Sequence, residues 1–102
     1  MRTRKPPNFL RMQITHDEKY QQFTIALPDG DEAELAYSKP AEDVISFTHT
    51  FVPENHRNQG LAEKLIKAGF AYAQKNNLKV IPGCDVVAKF LQVHPEYQQF
   101  LM

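Results

Sequence analysis

The segment from Ile45 to Ala73 limits the possible folds of this chain more than any other segment. It begins with an alternating apolar stretch typical of a buried β-strand, which Pro53 ends because proline has no N–H group to donate to a sheet. A sharp turn with the sequence Arg57-Asn58-Gln59-Gly60-Leu61-Ala62 follows. Apolar residues then recur with helical spacing up to Lys75, and charged residues occupy the other side of that helix.

A second apolar strand, at residues 78–81, follows the helix-stop signal Asn76-Asn77. A strand, a helix and a strand with short links form a βαβ unit, in which the two strands are parallel. We therefore predict that the strand at 44–52 lies beside the strand at 78–81. Alternation groups His49 with Phe47 and Phe51 on the inner face of the first strand, and apolar residues on both of its faces predict that it is covered on both sides.

The segments around this unit complete a single domain over residues 9–102, after a flexible tail at residues 1–8. Alternating patterns predict an antiparallel meander of strands at 9–15, 20–27 and 33–37, with a loop at 38–43. A second helix is predicted over residues 85–93, and Tyr97, Phe100 and Leu101 are expected to pack back as a last turn. The predicted fold class is therefore α+β with a mixed sheet.

Composition excludes several classes of protein. The chain has 102 residues and a formal net charge of +0, which argues against nucleic acid as a partner because binding phosphate backbones needs an excess of Lys and Arg. No apolar run approaches the ~20 residues that a membrane span requires, and no signal peptide is recognisable. The single cysteine, Cys84, allows no internal disulfide, so we expect a reducing, cytoplasmic location.

The turn before the long helix has the features of an anion site. A helix start offers unpaired N–H groups and a partial positive charge. Gly60 lets the backbone approach a ligand closely, Ala62 keeps the first turn small, and Arg57 adds a positive charge. The alternative is that Gly60 merely caps an ordinary helix.

The order of these segments resembles the GNAT acyltransferase superfamily. The phosphate-binding motif of that superfamily is Gln or Arg, two residues, Gly, one residue, then Gly or Ala, and Arg57, Gly60 and Ala62 match it. The segments at 49–53, 80–84 and 88–90 are similar to the small, single-domain branch of uncharacterised N-acetyltransferases. The similarity covers roughly residues 12–101.

The resemblance implies a specific donor and a specific site. The two parallel strands would splay apart and hold an acyl-CoA, acetyl-CoA in the first instance. Its pantetheine would pair with the first strand near Phe51 and Val52, and its pyrophosphate would accept N–H groups from Asn58, Gln59, Gly60, Leu61 and Ala62. The small branch lacks the paired helices that cover the acceptor side, so the groove for an amine acceptor is expected to be open. The protein is expected to be a monomer or weak homodimer.

The catalytic groups are less well defined by the pattern. In most GNAT enzymes a tyrosine on the last helix protonates the leaving thiolate, and Leu91 stands at that place here. Cys84, just beyond the second parallel strand, is a candidate nucleophile because a helix start there favours a thiolate; the alternative is a small buried apolar residue.

His49 is a candidate base for the amine, or else a buried core histidine. No spacing of histidines and carboxylates indicates a metal site. The resemblance implies an N-acyltransferase that acts on an amine of a small molecule or protein. The alternative, favoured by Leu91, is a catalytically weak acyl-CoA-binding module that serves as a sensor or interaction domain.

Overall fold

The computed structural model of the chain describes residues 13–102, in which five strands form one mixed sheet in the order β1-β2-β3-β4-β5. The strands are β1 (Ile14–Asp17), β2 (Gln22–Ala26), β3 (Glu32–Ala41), β4 (Val44–Phe51) and β5 (Lys79–Pro82). The helices are α1 (Leu61–Lys75) and α2 (Asp85–Val93), with short 3-10 helices at Glu54–His56 and Pro95–Phe100. The predicted tail, and residues 9–12 of the first predicted strand, lie outside the described residues.

The mixed character of the sheet matches the prediction. β1 to β4 pair antiparallel, β4 and β5 pair parallel, and α1 forms the connection between the last two. α1 begins and ends at the predicted residues, because Gly60 starts it in a left-handed conformation and Asn77, with φ 57°, stops it. No helix within residues 13–102 is both long and apolar enough to cross a membrane.

Two predicted turns proved to be strand. β1 continues through Asp17, where a polar turn was predicted, so His16 lies in the strand and not in a turn. β3 continues through Ala41, where a loop was predicted, because an extra residue is accommodated between Ser38 and Ala41. Such a bulge suits Pro40, which has no N–H group for a regular ladder.

Both helices pack on one face of the sheet. The ring of Phe70 in α1 lies 5.7 Å from Phe47 of β4, 6.0 Å from Phe90 of α2 and 5.1 Å from Tyr97. Gly69 allows this approach, since a Cβ there would lie 2.7 Å from Phe47 Cζ. The prediction that the central strand is covered on both sides is therefore wrong for residues 13–102.

The opposite face of the sheet is polar, and residues 13–102 leave most of it uncovered. Apart from Val44, its side chains on β2, β3 and β4 are exposed or half-buried; they include Thr24, Glu34, Ala36, Ser46, His49 and Phe51. The hydrophobic core is thus a single layer between the sheet and the two helices.

His16, in the edge strand β1, belongs to a cluster of aromatic side chains between the sheet and α1. Its ring stacks on Phe23 at 4.2 Å and meets Tyr72 edge-on at 4.4 Å, and Nε2 lies 2.6 Å from the hydroxyl of Tyr37. Burial lowers the pKa of His16, against an opposing effect of Glu18 and Asp17, and burial raises the pKa of Tyr37 to about 12. The cluster therefore favours a neutral imidazole.

This arrangement predicts lower stability in mild acid. Because the folded-state pKa of His16 is lowered, its contribution is complete above the ordinary histidine pKa of ~6.5 and is lost as pH falls through the folded pKa. We expect the urea midpoint of the wild-type protein to be lower at pH 5 than at pH 7.5. His16→Phe keeps the ring packing without a titrating group, so its urea midpoint should decrease less over the same pH range. An equal fall in both proteins would contradict this role; His49→Gln, at an exposed position, serves as the control.

Candidate functional site

The pairing between β4 and β5 ends halfway along β4. Partners run from Val44 opposite Lys79 to Phe47 opposite Pro82, and the four residues of β4 beyond Phe47 have no β5 partner. The chain leaves the sheet at Gly83, where a Cβ would lie 2.7 Å from the carbonyl oxygen of Phe47. A strand edge is thereby left open between the two parallel strands, as the predicted splay requires.

A β-bulge at Thr48 reverses the side-chain order of β4 at the same point. Tyr37 pairs with Phe47 and Ala36 pairs with His49, so Thr48 is the extra residue, and its hydroxyl donates to the Ala36 carbonyl at 3.3 Å. Cross-strand partners share a face. Thr50, opposite Leu35, therefore lies on the helical face.

The bulge overturns the predicted orientation of His49. Simple alternation placed it inward with Ile45 and Phe47, but the extra residue puts His49 and Phe51 on the open face, where both are exposed. His49 is therefore not a core histidine. Whether it acts as a base remains a prediction.

The turn between β4 and α1 presents a row of unpaired backbone donors. Asn58 and Gly60 have positive φ angles of 67° and 78°, on either side of Gln59. Such alternation folds successive N–H groups around one concavity. Within residues 13–102, no N–H group from Asn58 to Glu63 donates to a protein acceptor, and no side chain caps α1. With the dipole of α1, the turn is suited to an anion.

Arg57 joins this turn to the end of β4. Its Nε donates to the carbonyl oxygen of Val52 at 3.1 Å, which fixes the side chain across the connection. Within the described part of the chain it forms no ion pair with a carboxylate. Its guanidinium can therefore add charge-assisted hydrogen bonds to an anion in the turn.

These elements enclose a cleft of about 310 Å³. It contains all of the predicted cofactor-binding residues except Gln59: Phe51, Val52, Arg57, Asn58, Gly60, Leu61 and Ala62. The sequence analysis did not assign Thr50, Glu63, Val86 or His56 to the site, and all four line the cleft. Val86 comes from α2, and no local pattern could assign it to a site built mainly by residues 50–63.

Cys84 lies at the start of α2, beside the cleft but not in its wall. It is half-buried, and its Sγ lies 3.3 Å from the hydroxyl of Thr50, which does line the cleft. Cys84 packs against the core on the helical side, whereas His49 is on the open face. The structure therefore does not bring the two predicted catalytic residues together.

The position where the resemblance implies a tyrosine carries no hydroxyl. Leu91 is 5% exposed and belongs to the core between α2 and the sheet. Tyr97, the nearest tyrosine in sequence, packs between the rings of Phe70 and Phe90, both at 5.1 Å. Neither residue lines the cleft.

Glu63, the one carboxylate that residues 13–102 contribute to the cleft wall, is paired with Lys67 and lies close to His94. Lys67 Nζ lies 3.1 Å from its Oε1, and His94 Nε2 lies 3.4 Å from its Oε2 without the alignment of a hydrogen bond. The contact with Lys67, followed by that with His94, lowers the pKa of Glu63. The carboxylate of Glu63 is thus paired along α1 and not with the turn.

A second group of polar side chains borders the cleft. Asp29, Asp31 and His56 place their oxygen and nitrogen atoms within 4.8 Å of one another, a proximity that sequence spacing did not indicate. Hydrogen bonds account for it: Asp29 Oδ2 accepts from His56 Nε2 at 2.8 Å, and Oδ1 accepts from the Asp31 N–H at 3.1 Å. We assign no ion to them.

A stability measurement tests whether Gly83 lies as close to β4 as the structure shows. Gly83→Ala places a methyl group against the Phe47 carbonyl and should destabilise the fold by about 1–3 kcal/mol in urea titrations. Gly30→Ala is the control, because its Cβ meets nothing within 4 Å and only the positive φ of 91° is strained, at about 1 kcal/mol. A Gly83→Ala protein as stable as wild type would show that the chain does not cross β4 so closely.

Comparisons with known proteins agree on one family. The family model described as GCN5-related N-acetyl-transferase matches residues 22–100. The chain is 32% identical to Protein NATD1 of Danio rerio, covering 90% of this chain and 86% of that protein, and 32% identical to Protein NATD1 of Gallus gallus, covering 82% and 77%. An NMR structure of a GCN5-like protein from Staphylococcus aureus is similar with a TM-score of 0.71 and 29% identity, over 89% of this chain and 88% of that one.

Proposed function

Because the chain belongs to the GCN5-related N-acetyltransferase family, we propose that it transfers the acyl group of an acyl-CoA, acetyl-CoA in the first instance, to an amine. The observation that carries the proposal is the cleft where β4 parts from β5. Its wall combines an open strand edge with a turn whose N–H groups have no protein acceptor within residues 13–102. An extended chain that ends in a diphosphate complements both features.

The donor would bind in two parts. Its diphosphate would accept N–H groups of the turn around Gln59 and Gly60 and pair with Arg57. Its pantetheine would lie along β4 beyond Phe47 and pair with the free backbone edge as an added strand does. A cleft of about 310 Å³ is small for the whole cofactor, so the adenosine would extend into solvent.

The acceptor would approach over the uncovered face of the sheet. The side chains of His49 and Phe51 lie on that face, and Phe51 also lines the cleft. Phe51 thus marks the place where donor and acceptor would meet. His49, exposed and two residues from Phe51, would take the proton of the ammonium group, since only a neutral amine attacks a thioester.

Cys84 offers a second route for the same transfer. Its thiolate would attack the thioester carbonyl, a new thioester would form on Sγ, and the CoA thiolate would leave and take up a proton. The amine would then attack the Cys84 thioester and release the thiol. Thr50, 3.3 Å from Sγ and in the cleft wall, would orient the sulfur.

Substitution of Gly60 tests the donor site. Gly60→Glu places a carboxylate at the turn and should weaken CoA binding by at least about tenfold in calorimetric titrations, because it repels the diphosphate. Gly60→Gln has the same size and the same strained φ of 78° without the charge, so it should bind more tightly than Gly60→Glu. Wild-type affinity in a folded Gly60→Glu protein would show that the phosphate site is elsewhere.

Mass measurement tests the covalent route. Intact protein incubated with acetyl-CoA should gain the mass of one acetyl group, and Cys84→Ala should gain none and release thiol more slowly with an amine. Thr50→Val, which lacks the hydroxyl beside Sγ, should acylate more slowly than wild type. Absence of an adduct, together with an unchanged rate in Cys84→Ala, would exclude the nucleophile role and leave direct transfer.

One observation favours a second function. Leu91 is buried where the family resemblance implies the proton donor, which is the expected finding in an acyl-CoA-binding module with weak catalysis. A panel of amines assayed by thiol release separates the two functions. Release above the rate of hydrolysis identifies an acyltransferase, and tight CoA binding without release identifies a binding module.

A further inference from the structure

His56 lines the cleft and is connected to a second loop through one ring nitrogen. Its side chain is 14% exposed, and its Nε2 lies 2.8 Å from Oδ2 of Asp29 in the turn between β2 and β3. On the basis of the proposed function, we propose that His56 recognises a phosphate of the donor and that Asp29 positions it so that donor binding strengthens as pH falls. Asp29 is then a positioning residue.

The turn that carries Asp29 is held in place by its own hydrogen bonds. Leu27 N–H donates to the Asp31 carbonyl at 2.8 Å, and Gly30 N–H donates to the Leu27 carbonyl at 3.0 Å. The Asp29 carboxylate accepts from Asp31 N–H and from Asn55 Nδ2 as well as from His56. A carboxylate held at three points fixes the ring against the cleft wall.

The charge of Asp29 determines which nitrogen of His56 carries a proton. The hydrogen bond with His56, followed by that with the Asp31 N–H, lowers the pKa of Asp29, so the group is ionised at neutral pH and can only accept. Nε2 must therefore donate to it. Nδ1 is then a bare acceptor in the neutral ring, and it would repel a phosphate oxygen bound next to it.

A second proton reverses this contact. It turns Nδ1 into a donor and places a positive charge beside Arg57, so the ring and a phosphate attract each other. Histidine is the side chain whose charge changes between pH 5 and 8, which is the range where this difference should appear. Phosphate binding and ring protonation would therefore promote each other.

The other charges around the ring act on its protonation in both directions. Asp29 and Asp31 face it from the β2–β3 turn, and both favour the protonated ring. Glu54 and Arg57 flank it on its own segment, where the carboxylate of Glu54 favours the protonated ring and the positive charge of Arg57 disfavours it. Glu63 faces the same cleft from α1, but its carboxylate is paired with Lys67 at 3.1 Å.

Calorimetric titration of the full chain with CoA at pH 6.0 and pH 8.0 tests the inference. The 3′-phosphate of CoA itself takes up a proton near pH 6, so wild type is compared with His56→Gln, for which that effect is the same. When the pH is lowered from 8.0 to 6.0, the CoA affinity of wild type should increase by a factor about fivefold larger than that of His56→Gln. This is the size expected for one charge-assisted contact. Pantetheine, which has no phosphate, should bind both proteins equally.

Asp29→Asn tests the positioning role, because it removes the charge that holds the proton on Nε2. It should lose most of the pH-dependent gain, and it should also bind CoA more weakly at pH 6.0. Asp43→Asn is the matched control, since Asp43 lies in another hairpin turn and its side chain makes no hydrogen bond within residues 13–102. Circular dichroism confirms that each variant is folded.

The outcomes separate this inference from the proposed function. If wild type binds CoA, Gly60→Glu does not, and His56→Gln keeps the wild-type affinity at both pH values, the role of His56 is wrong and the donor site stands. If wild type does not bind CoA, the proposed function fails and the inference fails with it. A reduced affinity in His56→Gln with an unchanged pH dependence would also overturn the inference, because it would indicate a structural role.

Discussion

The hydrogen-bond ladder between β4 and β5 ends after Phe47, and the candidate site depends on this early end. A parallel pair that continued to Phe51 would satisfy the backbone groups of β4 and fill the space between the strands. Instead the chain leaves β5 at Pro82-Gly83, passes close over Phe47 and enters α2. The edge that remains is a strand without a neighbour, which is a general means of binding an extended ligand.

The helices form a cleft along this edge, and the start of α1 makes one end of it favourable for negative charge. α1 and α2 both start near the opening, because the first turn of α1 and Val86 of α2 line the cleft. The aromatic contacts of Phe70 with Phe47, Phe90 and Tyr97 keep both helices on one side of the sheet. Within residues 13–102, the other side of the sheet remains polar and open.

Because the core is a single layer, a few polar contacts at its edges help to hold the elements together. With one core layer, the edge strand β1 is attached to the helical layer through His16 and its aromatic neighbours. At the other end, the Asp29–His56 contact joins the β2–β3 turn to the cleft wall. Both contacts involve a histidine, and burial lowers the pKa of His16, so the stability of the fold should vary with pH.

Local patterns were enough to predict most of the elements and the glycine turn before α1. The stop at Pro53, the helical spacing after Gly60 and the asparagines after Lys75 are short-range signals, and the structure places strand, turn and helix at those residues. The family resemblance extended this to the splayed strands, and all the predicted cofactor-binding residues except Gln59 line the cleft. Their contact with a cofactor remains a prediction.

Errors arose where one inserted residue or a distant partner decides the outcome. The bulge at Thr48 shifts the alternation of β4 by one position, and it moves His49 from the inner face to the open face. The bulge near Pro40 converts a predicted loop into strand. No periodicity shows these insertions, because they depend on how two strands align.

The amino-acid pattern was sufficient for every feature set by neighbours in the chain: the order of elements, the helix ends and the glycine turn. Packing between distant segments decided the rest. It brought Val86 and Thr50 into one cleft, put Cys84 beside Thr50, and joined His56 to Asp29. The physical reason is range, since dihedral preferences and hydrogen bonds within a turn act over a few residues, whereas these contacts exist only after the core has fixed the elements against one another.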